Sequence, residues 1–220
     1  MKAKVTWTLV MKDDAGGDAG ILEGWALEIV PMAAEPAVAA PLARAVIYQT
    51  DFETNDGGFT HLGVNNEWEW GTPTAAPITT ANSGTRCWKT DLDGTYEFSS
   101  NQDLISPPID LAGVSGPILL HWAQKHQMEN ATFDHAYVEV REVGGANPRK
   151  VWEYLDGTMT TNSGNPQITL QESAGWASMR ADISDYAGKK IEVRFHLESD
   201  TIVNLGGLAV DDLMVTGAVA

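Results

Sequence analysis

Strict alternation of apolar and polar side chains limits this chain more than any other feature. In residues 190–197 (KIEVRFHL), Ile191, Val193, Phe195 and Leu197 fall on one side; Glu192, Arg194 and His196 fall on the other. Successive strand side chains point to opposite faces, so this pattern predicts a half-buried antiparallel strand. Residues 136–142 (AYVEVRE) repeat it, with Val138 and Val140 inward. Further candidate strands lie at 46–53, 86–90, 103–106, 117–124, 151–155, 175–183 and 207–215. Turn signals separate them: Asp56-Gly57-Gly58, Asp93-Gly94, Gly144-Gly145, Asp156-Gly157 and Ser163-Gly164-Asn165. Sustained helical periodicity with caps is missing, and only Ile183–Ala187 has room for one turn. About ten short strands with this spacing predict an all-β fold, an antiparallel sandwich of two sheets face to face.

Charge narrows the partners. Thirty acidic side chains against 14 Lys plus Arg leave a net charge of −16. Nucleic acid binding draws on concentrated Lys and Arg, so this chain is not expected to bind it, nor to dock on an anionic membrane. A multivalent cation suits such a surface better. No apolar run approaches the roughly 20 residues of a membrane helix, so membrane insertion is not expected. The single cysteine, Cys87, cannot form an internal disulfide or a Cys-based zinc site, and reads as a buried inert thiol. The N-terminal MKAKVTWTLV lacks the apolar core of a signal peptide, which places any export signal outside this chain.

The organisation has three parts. Residues 4–10 and 22–30 alternate as strands around an acidic turn, 11–20, and form a hairpin within 1–30. Residues 31–44 (PMAAEPAVAAPLAR) are a semi-extended Ala/Pro linker, because Pro36 and Pro41 interrupt a helix. Residues 45–220 make the sandwich.

Several stretches then follow one order: 48–60 (YQTDFETNDGGFT), 67–74 (EWEWGTPT), 84–93 (GTRCWKTDLD), 104–111 (LISPPIDL), 133–140 (FDHAYVEV), 175–188 (GWASMRADISDYAG) and 207–213 (GLAVDDL). Together they resemble the MAM-like jelly-roll modules of secreted bacterial peptidases of the immune-inhibitor-A type, over residues 46–216. Residues 5–30 are similar to the last two strands of the P domain of convertase-type peptidases. The resemblance implies the order catalytic domain, P domain, linker, jelly roll. It also implies a non-catalytic accessory module, secreted or at the cell surface, that binds an extracellular protein or polysaccharide.

Three sets of side chains are candidates for chemistry. Calcium takes six to eight oxygen ligands. Asp51 and Glu53 lie on the first jelly-roll strand, Asp211 and Asp212 on the last. First and last strands of a jelly roll commonly lie side by side, which brings these acids together. Asp211 and Asp212 point to opposite faces unless a bulge re-aims one. These acids resemble the structural calcium ligands of MAM-like modules. Asp91 and Asp93 form a second pair, spaced for one side of a strand. Trp68 and Trp70 share a strand face and, with Trp88, either pack in the core or offer a stacking platform for sugar, as in a carbohydrate-binding module. The hairpin gives a third alternative, adhesion or assembly by adding to a sheet edge. The five histidines are scattered, and neither HExxH nor Gly-x-Ser-x-Gly occurs, so no catalytic residues are assigned.

Overall fold

A computed structural model describes residues 44–154 and 175–219. The predicted hairpin, the linker up to residue 43 and the turns at 156–157 and 163–165 lie outside the described residues.

The described chain contains β1 (Arg44–Thr50), β2 (Thr60–Val64), β3 (Trp68–Gly71), β4 (Cys87–Thr90), β5 (Asn101–Ile105) and β6 (Ile109–Asp110). It continues with β7 (Val114–Gln127), β8 (His135–Glu142), β9 (Ala146–Glu153), β10 (Ala177–Asp182), β11 (Lys190–Glu198) and β12 (Gly207–Val219). One sheet runs β10–β7–β12–β4–β3, with β1 also paired to β12; the other runs β2–β5–β11–β8–β9, with β6 paired to β11. All pairings are antiparallel. A single turn of 3-10 helix, Ser184–Tyr186, occupies the stretch expected to hold one.

The alternation reports the core faithfully. Ile191, Val193, Phe195 and Leu197 of β11 and Val138 and Val140 of β8 are fully buried. They share one core with Leu120 and Trp122 of β7 and Leu208, Val210, Leu213 and Val215 of β12. Burying each large side chain contributes about 1.5–3 kcal/mol, so this inter-sheet layer dominates stability. The outward row of β11 is not simply solvated. His196 stacks on Tyr137, with ring centroids 4.4 Å apart, and its Nδ1 meets Asp103 Oδ1 at 2.7 Å.

Strand β4 breaks the alternation, with all four residues buried. Trp88 enters the main core, while Cys87 packs with Ile78 and Ala209 in a small second core. The 72–86 connection lies over that side: Thr74 and Ala75 N–H both donate to Leu92 O, and Trp176 Nε1 donates to Thr80 O.

β12 positions the site. Its one edge pairs with β7; its other pairs first with β4 through Ala209 and Val210, then with β1 from Leu213 to Ala218. The handover between β4 and β1 falls at Asp211 and Asp212.

Candidate functional site

The predicted neighbourhood of first and last strands is present: Thr50 pairs with Leu213. Asp51, just past β1, lines a cavity of about 230 Å³ together with Asp212. The irregularity needed to re-aim one of the two adjacent acids is present. The β12–β7 register shifts between Asp211 and Met214, and Asp212 adopts φ +49°. This left-handed residue lets both adjacent carboxylates reach the same dipeptide. Asp211 Oδ2 accepts from Asn82 N at 2.9 Å and Ser83 N at 3.1 Å. Asp212 accepts from Asn82 Nδ2 at 2.6 Å and Ser83 Oγ at 2.8 Å.

Glu53 grips the other end of that loop. Its Oε1 accepts from Thr85 N at 2.9 Å and Arg86 N at 2.7 Å. These bonds, Arg86 first, hold its carboxyl below the usual range. Gly84 stands between the two grips at φ +56°, and a Cβ there would collide with the Glu53 carboxylate. Burial pushes the Asp211 carboxyl up to about 7, aided by the Asp212 charge and opposed by the loop N–H groups.

Three carboxylates, Glu53, Asp211 and Asp212, therefore converge on residues 82–86, with Asp51 beside Asp212 in the adjoining cavity, and the donor set is all oxygen, the chemistry of a hard cation. Each carboxylate has about four lone-pair sites, so accepting these N–H bonds leaves room for a ligand. Among the described residues, however, tight groups with acid oxygens within 4.8 Å of one another form elsewhere. They are Glu69–Asp91–Asp93 and Glu129–Asp134–Asp200.

Asp91 and Asp93 thus come together, but not along a strand. β4 ends at Thr90, Asp91 turns at φ +54°, and its Oδ1 accepts Asp93 N at 3.1 Å. A buried cation already serves this turn. Lys89, fully buried, donates through Nζ to Thr90 O and Gly94 O, both at 3.1 Å, and to Asp91 O. Burial lowers its pKa, and the nearby Asp91 and Glu69 charges oppose that shift. The sequence offered no signal for Lys89, because a lysine in a strand ordinarily reads as solvated.

Two tryptophans of the proposed stacking platform are in the core: Trp68 is 1% and Trp88 4% exposed. A ring with no exposed face cannot stack on a sugar. Trp70 is half-buried, with the Arg86 guanidinium 4.9 Å over its ring. Trp70 Nε1 donates to Phe52 O at 2.8 Å and Trp88 Nε1 to Asp56 O at 3.0 Å. Both indoles thereby pin the loop that carries Asp51 and Glu53.

Cys87 is buried, which pushes its thiol up to about 12 and leaves it unreactive. His126 is buried beside Trp152 and Tyr154, and desolvation drops its pKa to about 4.

Two antiparallel sheets closed over one core, with acids gathered on the loops at strand ends, define a β-sandwich module. A profile of the "Immune inhibitor A-like, MAM domain" family matches residues 88–219, and the chain belongs to that family. It is 35% identical over 169 residues to Bacillopeptidase F of Bacillus subtilis (strain 168), spanning 77% of this chain but about a tenth (10%) of that protein. The fold is similar to the K1 cleaved adhesin domain of Lys-gingipain from Porphyromonas gingivalis W83. The TM-score is 0.50 at 16% identity, covering 76% of this chain and 96% of that one. Among the described residues no helix is long and apolar enough to cross a membrane.

Proposed function

We propose that this chain is a non-catalytic, calcium-stabilised accessory module of a secreted multidomain peptidase, attaching that enzyme to an extracellular protein or polysaccharide. The observation that carries the reading is the match to Bacillopeptidase F, which covers most of this chain and a tenth of the relative. A segment of that proportion is one module among several. Residues 5–30 and 31–44 fit the same order as the tail of a P domain and its linker. The distribution of reactive groups supports a binding role: the one thiol is buried, and the Glu53, Asp211 and Asp212 carboxylates hold a loop.

Calcium belongs to this proposal at the chain ends. Asp51, Glu53, Asp211 and Asp212 would hold it, with Asp91 supporting the neighbouring turn. The ion would offset the charge gathered there and tie β1 to β12. Polysaccharide attachment, if it occurs, uses a surface other than Trp68 and Trp88.

The test compares the peptidase that carries this segment with a form lacking residues 45–220. Retention on immobilised casein and on insoluble cell-wall polysaccharide is measured, with peptide-bond hydrolysis followed in parallel. Loss of retention with intact hydrolysis of a short peptide supports the reading. Unchanged retention on both, or hydrolysis by the isolated chain, overturns it.

A further inference from the structure

Four segments meet at one end of the second sheet: the end of β2, the loop before β5, the β7–β8 connection and the loop after β11. Val64 pairs with Asn101, Asn101 with Glu198, and Glu198 with His135, so these strands finish side by side. Hydrogen bonds tie the flanking loops together. Asn65 Nδ2 donates to Phe98 O at 2.9 Å, Ser99 N to Asp200 O at 2.6 Å, and Asp200 N to Asp134 Oδ1 at 2.9 Å. Ile202 N donates to Asp200 Oδ1 at 2.8 Å.

Each segment carries an exposed apolar side chain: Val64, Phe98, Phe133 and Ile202, the last 72% exposed. Half of the exposed large apolar side chains among the described residues thus gather at this end. Single exposed apolar residues are ordinary; a gathered set rimmed by polar groups marks an interaction surface.

The rim has one sign of charge. Glu97, Glu129, Glu198 and Asp200 lie on the same segments, and residues 64–67, 95–101, 128–135 and 197–206 hold no Lys or Arg. Among the described residues no Lys or Arg forms an ion pair with these four acids; Glu198 meets only His196 Nε2, at 3.8 Å. An apolar centre with an acidic rim complements apolar side chains flanked by cations. A second copy would bring acids against acids in a chain of net charge −16. The adjoining edge selects polypeptide. β2 is the last strand of its sheet, and THLGV contains neither Lys nor Pro to block a further strand. An extended polypeptide can hydrogen-bond along such an edge.

We propose that this end binds an extended segment of a partner protein in which Lys or Arg alternates with apolar side chains. The apolar groups cover Val64, Phe98, Phe133 and Ile202, the cations meet the acidic rim, and the backbone runs along β2. The inference rests on the attachment reading and names the partner chemistry for it.

The test titrates the full chain against a fluorescein-labelled octapeptide of Lys alternating with Val and Phe, followed by anisotropy. Binding is expected, and should weaken from about 50 to about 500 mM NaCl as the rim is screened. Phe133→Ser with Ile202→Ser should weaken it by on the order of tenfold or more, with the fold verified by circular dichroism. Glu97→Gln with Glu198→Gln should flatten the salt dependence. Val143→Ser, exposed near Lys190 at the opposite end of β11, should bind as the parent does. No binding by the parent, equal binding by the Phe133/Ile202 variant, or equal binding of a Lys/Ser octapeptide overturns the proposal. So does a dimer in light scattering that the Phe133/Ile202 variant abolishes, since the occupant is then a second copy. Retention of the parent peptidase separates the two readings. Retention lost on deleting residues 45–220 but kept by the Phe133/Ile202 variant, or lost by that variant on polysaccharide alone, overturns this surface and leaves attachment standing. Retention unchanged by the deletion overturns attachment itself.

Discussion

Replacing Lys89 by Met tests the most unusual part of the core. The ammonium is buried and donates to three carbonyl oxygens, those of Thr90, Asp91 and Gly94. Met matches the apolar stem in length and volume, so little packing is lost. What disappears is the cation. Three carbonyls lose their donor, and Glu69, Asp91 and Asp93 lose the charge that offsets their repulsion. Removing one partner from a buried charged network costs about 3–5 kcal/mol. In a domain of this size each kcal/mol shifts Tm by about 2–4 °C, so Lys89→Met should melt about 10 °C lower. Urea unfolding followed by tryptophan fluorescence measures the free energy, with Lys189→Met as the control. Lys189 is half-exposed beside Glu142, and its loss should change stability little. A Lys89→Met protein within about 1 kcal/mol of the parent would refute the argument, since it would mean the carbonyls and acids are satisfied without the ammonium.

Three further outcomes are expected. Gly84→Ala forces a left-handed residue costing about 1–2 kcal/mol and displaces the Glu53 carboxylate, so chemical denaturation should show a clear loss and Glu53→Ala should then add little to it. His126 should remain neutral in the folded protein down to near pH 4, visible as an imidazole resonance that does not titrate between pH 7 and 5. Its folded pKa lies below the unfolded value, so protons bind the unfolded chain first; this contribution is lost as pH falls from about 6.5, amounting to about 2 kcal/mol by pH 5. A His126→Phe protein should have a shallower loss over the same range. Chelation by EDTA should lower Tm and added calcium restore it, because an ion binding only the folded state stabilises by mass action. Asp51→Asn with Asp212→Asn should remove part of that response.

The sequence alone carried the fold class, since periodicity of two is a local property. KIEVRFHL announces its buried row, and Ile191, Val193, Phe195 and Leu197 are all inside. Through the resemblance to a jelly roll it also carried the nearness of the first and last strands, which sets Asp51 and Asp212 on one cavity. Short strands such as β2 and β6 were illegible, because a few residues carry too little period to register. The fate of the tryptophans was also undecided, as spacing places Trp68 and Trp70 on one face without saying which face is covered. Only the tertiary structure buried Lys89, by folding the 90–94 turn onto its ammonium on the side of β4 that the 72–86 connection covers. It alone joined Glu129 and Asp134 to Asp200, some 66 residues beyond Asp134, because strand pairing between β8 and β11 brings their ends together. Local pattern determines which face of a strand turns inward; which loops meet at the ends of those strands depends on topology.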